Sequence, residues 1–345
     1  MHARPLLVAA AILATSLGSA AARDLMVVTR AGAFQEAARE VFAKPFTAAT
    51  GIAVQAENWD GGIDALRTQL KSPDNPWDVV LVDGDELATG CSEGLFEKLD
   101  WSAIGGKDHY LPQAVSDCGV GAGLANLVLA WDRDKFPGTP SWADFWDVAK
   151  YPGKRGLYRG VHGDLEFALI ADGVAPADVY KVLATSEGVD RAFRKLDQLK
   201  PYIVWWQTGA EAAHILASGD VLMTSAPSAR IAIVNRTDHH NFGVQWNASL
   251  YEVLSWAIVK GSPNLRQATQ FLYFAGTPAI EGRLLEVAGA SGLAKRANEL
   301  LPPELVAISP TTPANLGAAI RFDDGFWRDN QAKLGQRFDA WLAQH

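Results

Sequence analysis

Short β-branched runs alternate with amphipathic stretches along most of the chain. Leu25 to Thr29 and Ile52 to Ala56 read as strands. Val79-Val80-Leu81-Val82 is an apolar run too short for a helix, the pattern of a strand buried on both faces of a parallel sheet. Between these runs, Gln35 to Phe46 sets Ala38, Val41, Phe42 and Phe46 at helical spacing, and Ile63 to Lys71 forms a second helix. Strand and helix in alternation predict a parallel sheet with crossover helices.

The texture changes after Cys118. Gly119 to Trp131 reads as extended chain that crosses into a second body. There Ser141 to Asp147, Leu165 to Ala171, Asp190 to Leu199 and Gln207 to Ser218 read as helices. Gly156 to Tyr158, Ile203 to Trp206 and Val221 to Ser225 read as strands, the last running into a segment from Ala226 to Val234. Gln245-Trp246 and Val253 to Val259 look like strands returning to the first body, followed by an amphipathic helix from Leu265 to Ala275. The predicted fold is α/β and two-lobed, each lobe a mainly parallel sheet with flanking helices. The first lobe spans 23–125, the second 126–245, and 246–345 returns to the first with C-terminal helices, some of them packing on the second. Two lobes joined by a multi-stranded hinge make a cleft that can close on a small molecule.

Composition supports this size. The chain has 345 residues, 48% of them hydrophobic, with 12 Trp and 14 Phe, enough apolar material for more than one core. A formal charge of −8 argues against nucleic-acid and polybasic membrane partners. Arg4, the apolar run Pro5 to Leu17 and Ala20-Ala21-Ala22 read together as a cleaved secretory signal over residues 1–22, so the mature protein is expected in the periplasm. No later run reaches the roughly 18 apolar residues of a membrane span. In an oxidising compartment the two cysteines, Cys91 and Cys118, are expected to form a disulfide that stabilises by roughly 3 kcal/mol. The rival reading is a nucleophilic cysteine with a histidine such as His109, His162 or His214.

Candidate chemistry gathers where strands end. Asp83-Gly84-Asp85-Glu86 follows the buried Val79–Val82 run, at the place where open parallel sheets bind ligands. The same residues also suit a helix N-cap, and both readings stand. Trp59-Asp60-Gly61-Gly62 frames a cleft or forms a turn. Trp205 and Trp206 alternate on a strand, so one of them belongs to the core. Neighbours His239-His240 point to opposite sides, which favours a surface loop over a metal pair.

Phrases spread over the mature chain carry a family resemblance: AGAFQEAAREVFAKPFTAATGI, WDVVLVDGDELATGCSEGLFEKLDW, KPYIVWWQTGAEAAHILASGDVLMTSA and FDDGFWRDNQAKLGQRFDAWLAQ. In order and spacing they resemble the periplasmic solute-binding proteins of ABC importers, the branch with the spermidine/putrescine-binding proteins. The resemblance implies a non-catalytic receptor, a monomer without a cofactor, that closes on a solute and delivers it to a permease with a separate ATPase subunit. It places ligand contacts at Arg30, Gly32, Phe34, Trp59, Asp83, Asp85, Glu166, Trp205, Trp206, Ser225, Arg230 and Glu252. This chain departs from the pattern with Arg30 where an aromatic is usual, Leu254 where an aspartate is usual, and Ala290 near a usual tyrosine. A guanidinium favours a carboxylate or phosphate over a polyamine, so of the two solutes left open, a polyamine-like one and an amino-acid- or opine-like amine that also carries an acidic group, the second suits these residues better. Arg30 could instead pair with Asp60 or Asp83. The competing class is an exported thiaminase-like enzyme on the same scaffold, using a cleft cysteine.

Overall fold

The computed structural model describes residues 23–30 and 33–344, without the side chains of Ala33, Phe34 and Glu36. The signal segment 1–22 and Gly32 lie outside the described residues.

Among the described residues nine strands form one mixed sheet: β1 (Leu25–Arg30), β2 (Val54–Trp59), β3 (Val79–Val82), β4 (Gly119–Asp132), β5 (Arg155–Tyr158), β6 (Ile203–Trp206), β7 (Met223–Pro227), β8 (Phe242–Ile258) and β9 (Ile320–Arg321). Their order is β2-β1-β3-β8-β4-β7-β5-β6, with β9 beside β8. β1 pairs parallel with β2 and β3, and β5 parallel with β6 and β7. The two long strands β4 and β8 run antiparallel through the middle and join both ends. All four residues of β3 are buried, as an apolar run covered on both faces requires.

Apolar packing divides accordingly. One cluster gathers Leu25, Val79, Phe42, Phe46, Trp256 and Phe271, and another covers the opposite face of the same strands with Val80, Val82, Trp77 and Phe96. Around β5 to β7 a separate cluster holds Trp142, Phe145, Leu165, Phe167 and Leu196, and it also takes in Trp327, Phe338 and Trp341 of the C-terminal helix Asp324–Leu342.

Several elements differ in extent from the sequence reading. The second strand is displaced toward Trp59, because Val54 to Trp59 pair in register with all six residues of β1. The helix after β1 is broken by a π-turn at Arg39–Ala43 and continues as Lys44–Thr50. The two strands expected around 245 and 253–259 are one strand, β8. Its register against β4 jumps between the pairs Leu127↔Leu250 and Leu129↔Gln245. In that bulge Ala248 is left-handed, with φ 58°, and its carbonyl accepts from Trp142 Nε1 at 3.1 Å. Cys91 and Cys118 form a disulfide with Cα atoms 5.7 Å apart, which leaves no thiol for a nucleophilic cysteine.

Candidate functional site

β1, β2 and β3 run parallel, so Arg30, Trp59 and the residues after Val82 emerge at one edge of the sheet. The Arg30 guanidinium lies 4.5 Å over the Trp59 ring and donates to Asp83 Oδ2 at 3.1 Å and to Glu86 Oε2 at 2.6 Å. Glu86 Oε1 accepts from the Gly62 N–H at 2.6 Å. Gly61, at φ 88°, passes so close that a Cβ there would overlap the guanidinium, which is why the turn is glycine.

Asp83 is also the N-cap of the helix Gly84–Ser92. Its side chain accepts from Glu86 N at 3.1 Å, and Glu86 Oε2 accepts from Asp83 N at 3.2 Å. The capping and cleft readings of this tetrapeptide therefore hold together. The cap orients the acids, and the strand end places them.

These groups open onto a cavity of about 660 Å³. Six acids line it: Asp64, Asp83, Asp85 and Glu86 on one side, Glu252 from β8, and Asp324 at the start of the C-terminal helix. Arg30 and Arg328 line the cavity with them and each pairs with an acid, while Arg67 and Arg321, outside the lining, pair with Asp64 and Asp324. His162, Phe322 and Trp327 form the facing wall. Burial, with Asp324 nearby, pushes Glu252 up to about 7, while Arg30 pulls it down. Burial, a hydrogen bond with Asp85 and the charge of Glu86 raise Asp83 far above the usual carboxylate range. Asp324 is raised by burial too. Crowded carboxyls with little counter-charge make a site for a cation.

A smaller apolar recess of about 160 Å³ is lined by Leu124, Asn126, Pro227, Ser228, Leu254 and Ala290. Leu254 stands two residues from Glu252 on β8 and so faces the same side of the strand. The recess meets the first turn of the helix Ser228–Thr237, where N–H groups favour negative charge. A third cavity, of about 740 Å³, lies beyond Gly84 and Asp324 beside the disulfide, and its walls do not concentrate charge of one sign.

Of the residues singled out from sequence, Arg30, Asp83, Asp85 and Glu252 come together around the 660 Å³ cavity, with Trp59 behind Arg30. Arg30 meets Asp83 and Glu86, not Asp60. Glu166 does not line the cavity. It is fully buried and accepts from Tyr180 Oη, Trp327 Nε1 and Gly163 N at 2.9, 2.8 and 3.0 Å. Trp205 packs edge-on against Phe338 and Trp341, and Trp206 lies 5.0 Å from Tyr158, so neither lines it either. Ser225 is buried in β7 with its hydroxyl unpartnered. Arg230 sits half-buried in the first turn of Ser228–Thr237, packed near Gly209, and makes no salt bridge among the described residues. Gly32 and the Phe34 side chain fall outside the described residues.

The sequence reading did not single out Glu86, His162, Phe322, Asp324, Trp327 or Arg328 as ligand contacts. One signal was present. Asp83-Gly84 follows β3 directly and His162-Gly163 comes four residues after the end of β5, each a polar residue and a glycine where a helix begins.

Residues 42–303 match the model of the family described as bacterial extracellular solute-binding protein. A γ-aminobutyric acid-binding protein of Pseudomonas aeruginosa is 42% identical over 326 residues, 94% of this chain and 92% of that relative. A solved structure described as the Atu4243 GABA receptor superposes with a TM-score of 0.82 at 29% identity, covering 93% of this chain and 98% of that one. The structure of MotA from A. tumefaciens B6 with glucopine gives 0.78 at 27% identity, over 92% and 99% of the two chains. With these matches spanning both packed bodies and the cavity between them, the chain belongs to the bacterial extracellular solute-binding proteins, the receptors of ABC importers, and not to an enzyme family.

Proposed function

We propose that the solute is a linear ω-amino acid of the γ-aminobutyrate kind. Its ammonium sits among Asp83, Asp85, Glu252 and Asp324, its methylenes pass Leu254 and Ala290, and its carboxylate ends at Arg230 and the N-terminus of Ser228–Thr237. The observation that carries this reading is the division of charge. Acids crowd one compartment, while the neighbouring recess is apolar and meets the first turn of Ser228–Thr237, the turn that carries Arg230, which makes no salt bridge among the described residues. A diamine would leave its second ammonium against Leu254 without a carboxylate. The relative of Pseudomonas aeruginosa named for γ-aminobutyrate supports the same class.

The family supports the rest of the reading. The protein acts as a monomer in the periplasm after removal of residues 1–22, with no nucleic-acid partner. It closes about β4 and β8, between lobes of 23–125 and 126–245 with 246–345 returning, and hands the solute to a permease and its ATPase. A thermal-shift titration tests the solute class with γ-aminobutyrate, 5-aminovalerate, putrescine and butyrate. The expected result is a rise in Tm with the two amino acids only. A rise with putrescine and none with either amino acid overturns the reading.

A further inference from the structure

The cavity wall opposite the acids is a stack of rings that ends in a nitrogen with no partner. His162 stacks on Phe322 with centroids 5.1 Å apart at 15°, and leans on Trp327 at 4.1 Å. Trp327 is held from behind, its Nε1 donating to Glu166 Oε1 at 2.8 Å. The same carboxyl accepts from Tyr180 Oη and from the N–H of Gly163, the residue next to His162. It therefore fixes both the ring that backs the imidazole and the backbone that carries it.

The hydrogen bonds of this chain of contacts are satisfied as far as His162, whose Nε2 is buried and has no hydrogen-bond partner. Such an atom is costly and uncommon, and the ring that carries it lines the cavity. Burial holds the ring neutral down to about pH 4, against the pull of Asp85. A neutral imidazole accepts an N–H, whereas an imidazolium would repel a cation. The carboxyls of Asp85, Glu252 and Asp324 line the same cavity.

We propose that His162 is the solute contact on this wall and selects an unsubstituted ammonium, accepting one N–H while the remaining N–H groups meet the carboxylates. Glu166, acting through Trp327, is the positioning residue for that ring. The proposal rests on the ω-amino-acid reading and sharpens its substrate class. An aromatic wall alone also welcomes a quaternary ammonium by cation–π attraction, but a trimethylated nitrogen has no N–H to give.

Calorimetric titration of the full mature chain at pH 7.5 with γ-aminobutyrate and with its N-trimethyl analogue tests this. Wild type should prefer the primary amine by tenfold or more. His162→Phe, which keeps the stack and removes the nitrogens, should lose at least tenfold in affinity for γ-aminobutyrate and most of the preference. Glu166→Gln should lower the same ratio, whereas a merely structural Glu166 would shift Tm and leave the ratio alone. Unchanged affinity and ratio in His162→Phe overturn the proposal. Should that variant not fold, imidazole ¹⁵N shifts of wild type decide: a shift of a ring nitrogen at saturation supports the contact, and none refutes it. If neither amino acid binds wild type, the ω-amino-acid reading has failed, and the same ¹⁵N measurement is read with putrescine, which carries the same ammonium.

Discussion

Arg30 illustrates how a residue that breaks a family pattern is absorbed. Its charge is spent on Asp83 and Glu86 and its face on Trp59, so it neutralises part of the acid cluster and is not available to grip an anion. Removing it would leave Glu86, nearly buried, without its cation. The Gly61 turn is what lets the guanidinium through. Gly61→Ala should cost roughly 2–4 kcal/mol, from strain at positive φ together with loss of the buried pairing, read from the urea midpoint. The sequence allowed Asp60 or Asp83 as partner. Asp60 follows β2 and Asp83 follows β3, and both strands pair with β1, so which acid reaches the guanidinium is information that only tertiary structure supplies.

At the level of elements, the helix Gly84–Ser92 is pinned at both ends. The Asp83–Glu86 capping box fixes its start at the cavity, and the Cys91–Cys118 disulfide ties its end to the approach of β4. Loss of the bond in a Cys91→Ser, Cys118→Ser double variant should lower stability by roughly 3 kcal/mol by denaturant titration, without creating a new activity. Strands with strong periodicity, β1, β3 and β6, were legible as strands from residue types alone. β8 was read as two pieces, and the gap coincides with the bulge at Ala248, where Asn247 and Ser249 interrupt the apolar pattern. A local break in pattern was correctly sensed there, but cross-strand pairing with β4 carries the strand through it.

For the whole molecule, buried carboxyls set the response to pH. Burial raises Glu166 and Glu252 to about 7 and Glu281 to about 8, from 4.5. The folded state then holds protons that the unfolded chain has released, so the stability these groups contribute is full below pH 4.5 and is lost as pH rises through 7 to 8. His162, lowered to about 4, acts the other way below about pH 6.5. The ligand-free protein should therefore lose Tm between pH 6.5 and 8 by calorimetry. Solute binding should strengthen over the same interval, because Glu252, facing Asp324, Asp85, Glu86 and Arg30, must ionise to hold a cation. A ligand-induced rise in Tm that shrinks with pH would contradict this.

The two-lobed architecture was legible because strand–helix alternation repeats on either side of Cys118. The C-terminal helices were expected to return to the first lobe with some packing on the second, but Trp327, Phe338 and Trp341 carry no mark in sequence of which core each will join, and all three join the second. Their helix also presses Asp324 against Gly84 of the first.

Ala248 gives the crossing strand a further property. An alanine turned to the left hand stores on the order of 1 kcal/mol, and it does so inside the second core, beneath Trp142, shortly before β8 crosses to the first. The indole that holds its carbonyl keeps the residue in that shape, so the interior of the second body sustains the tension, and a glycine in the same place would be free of it.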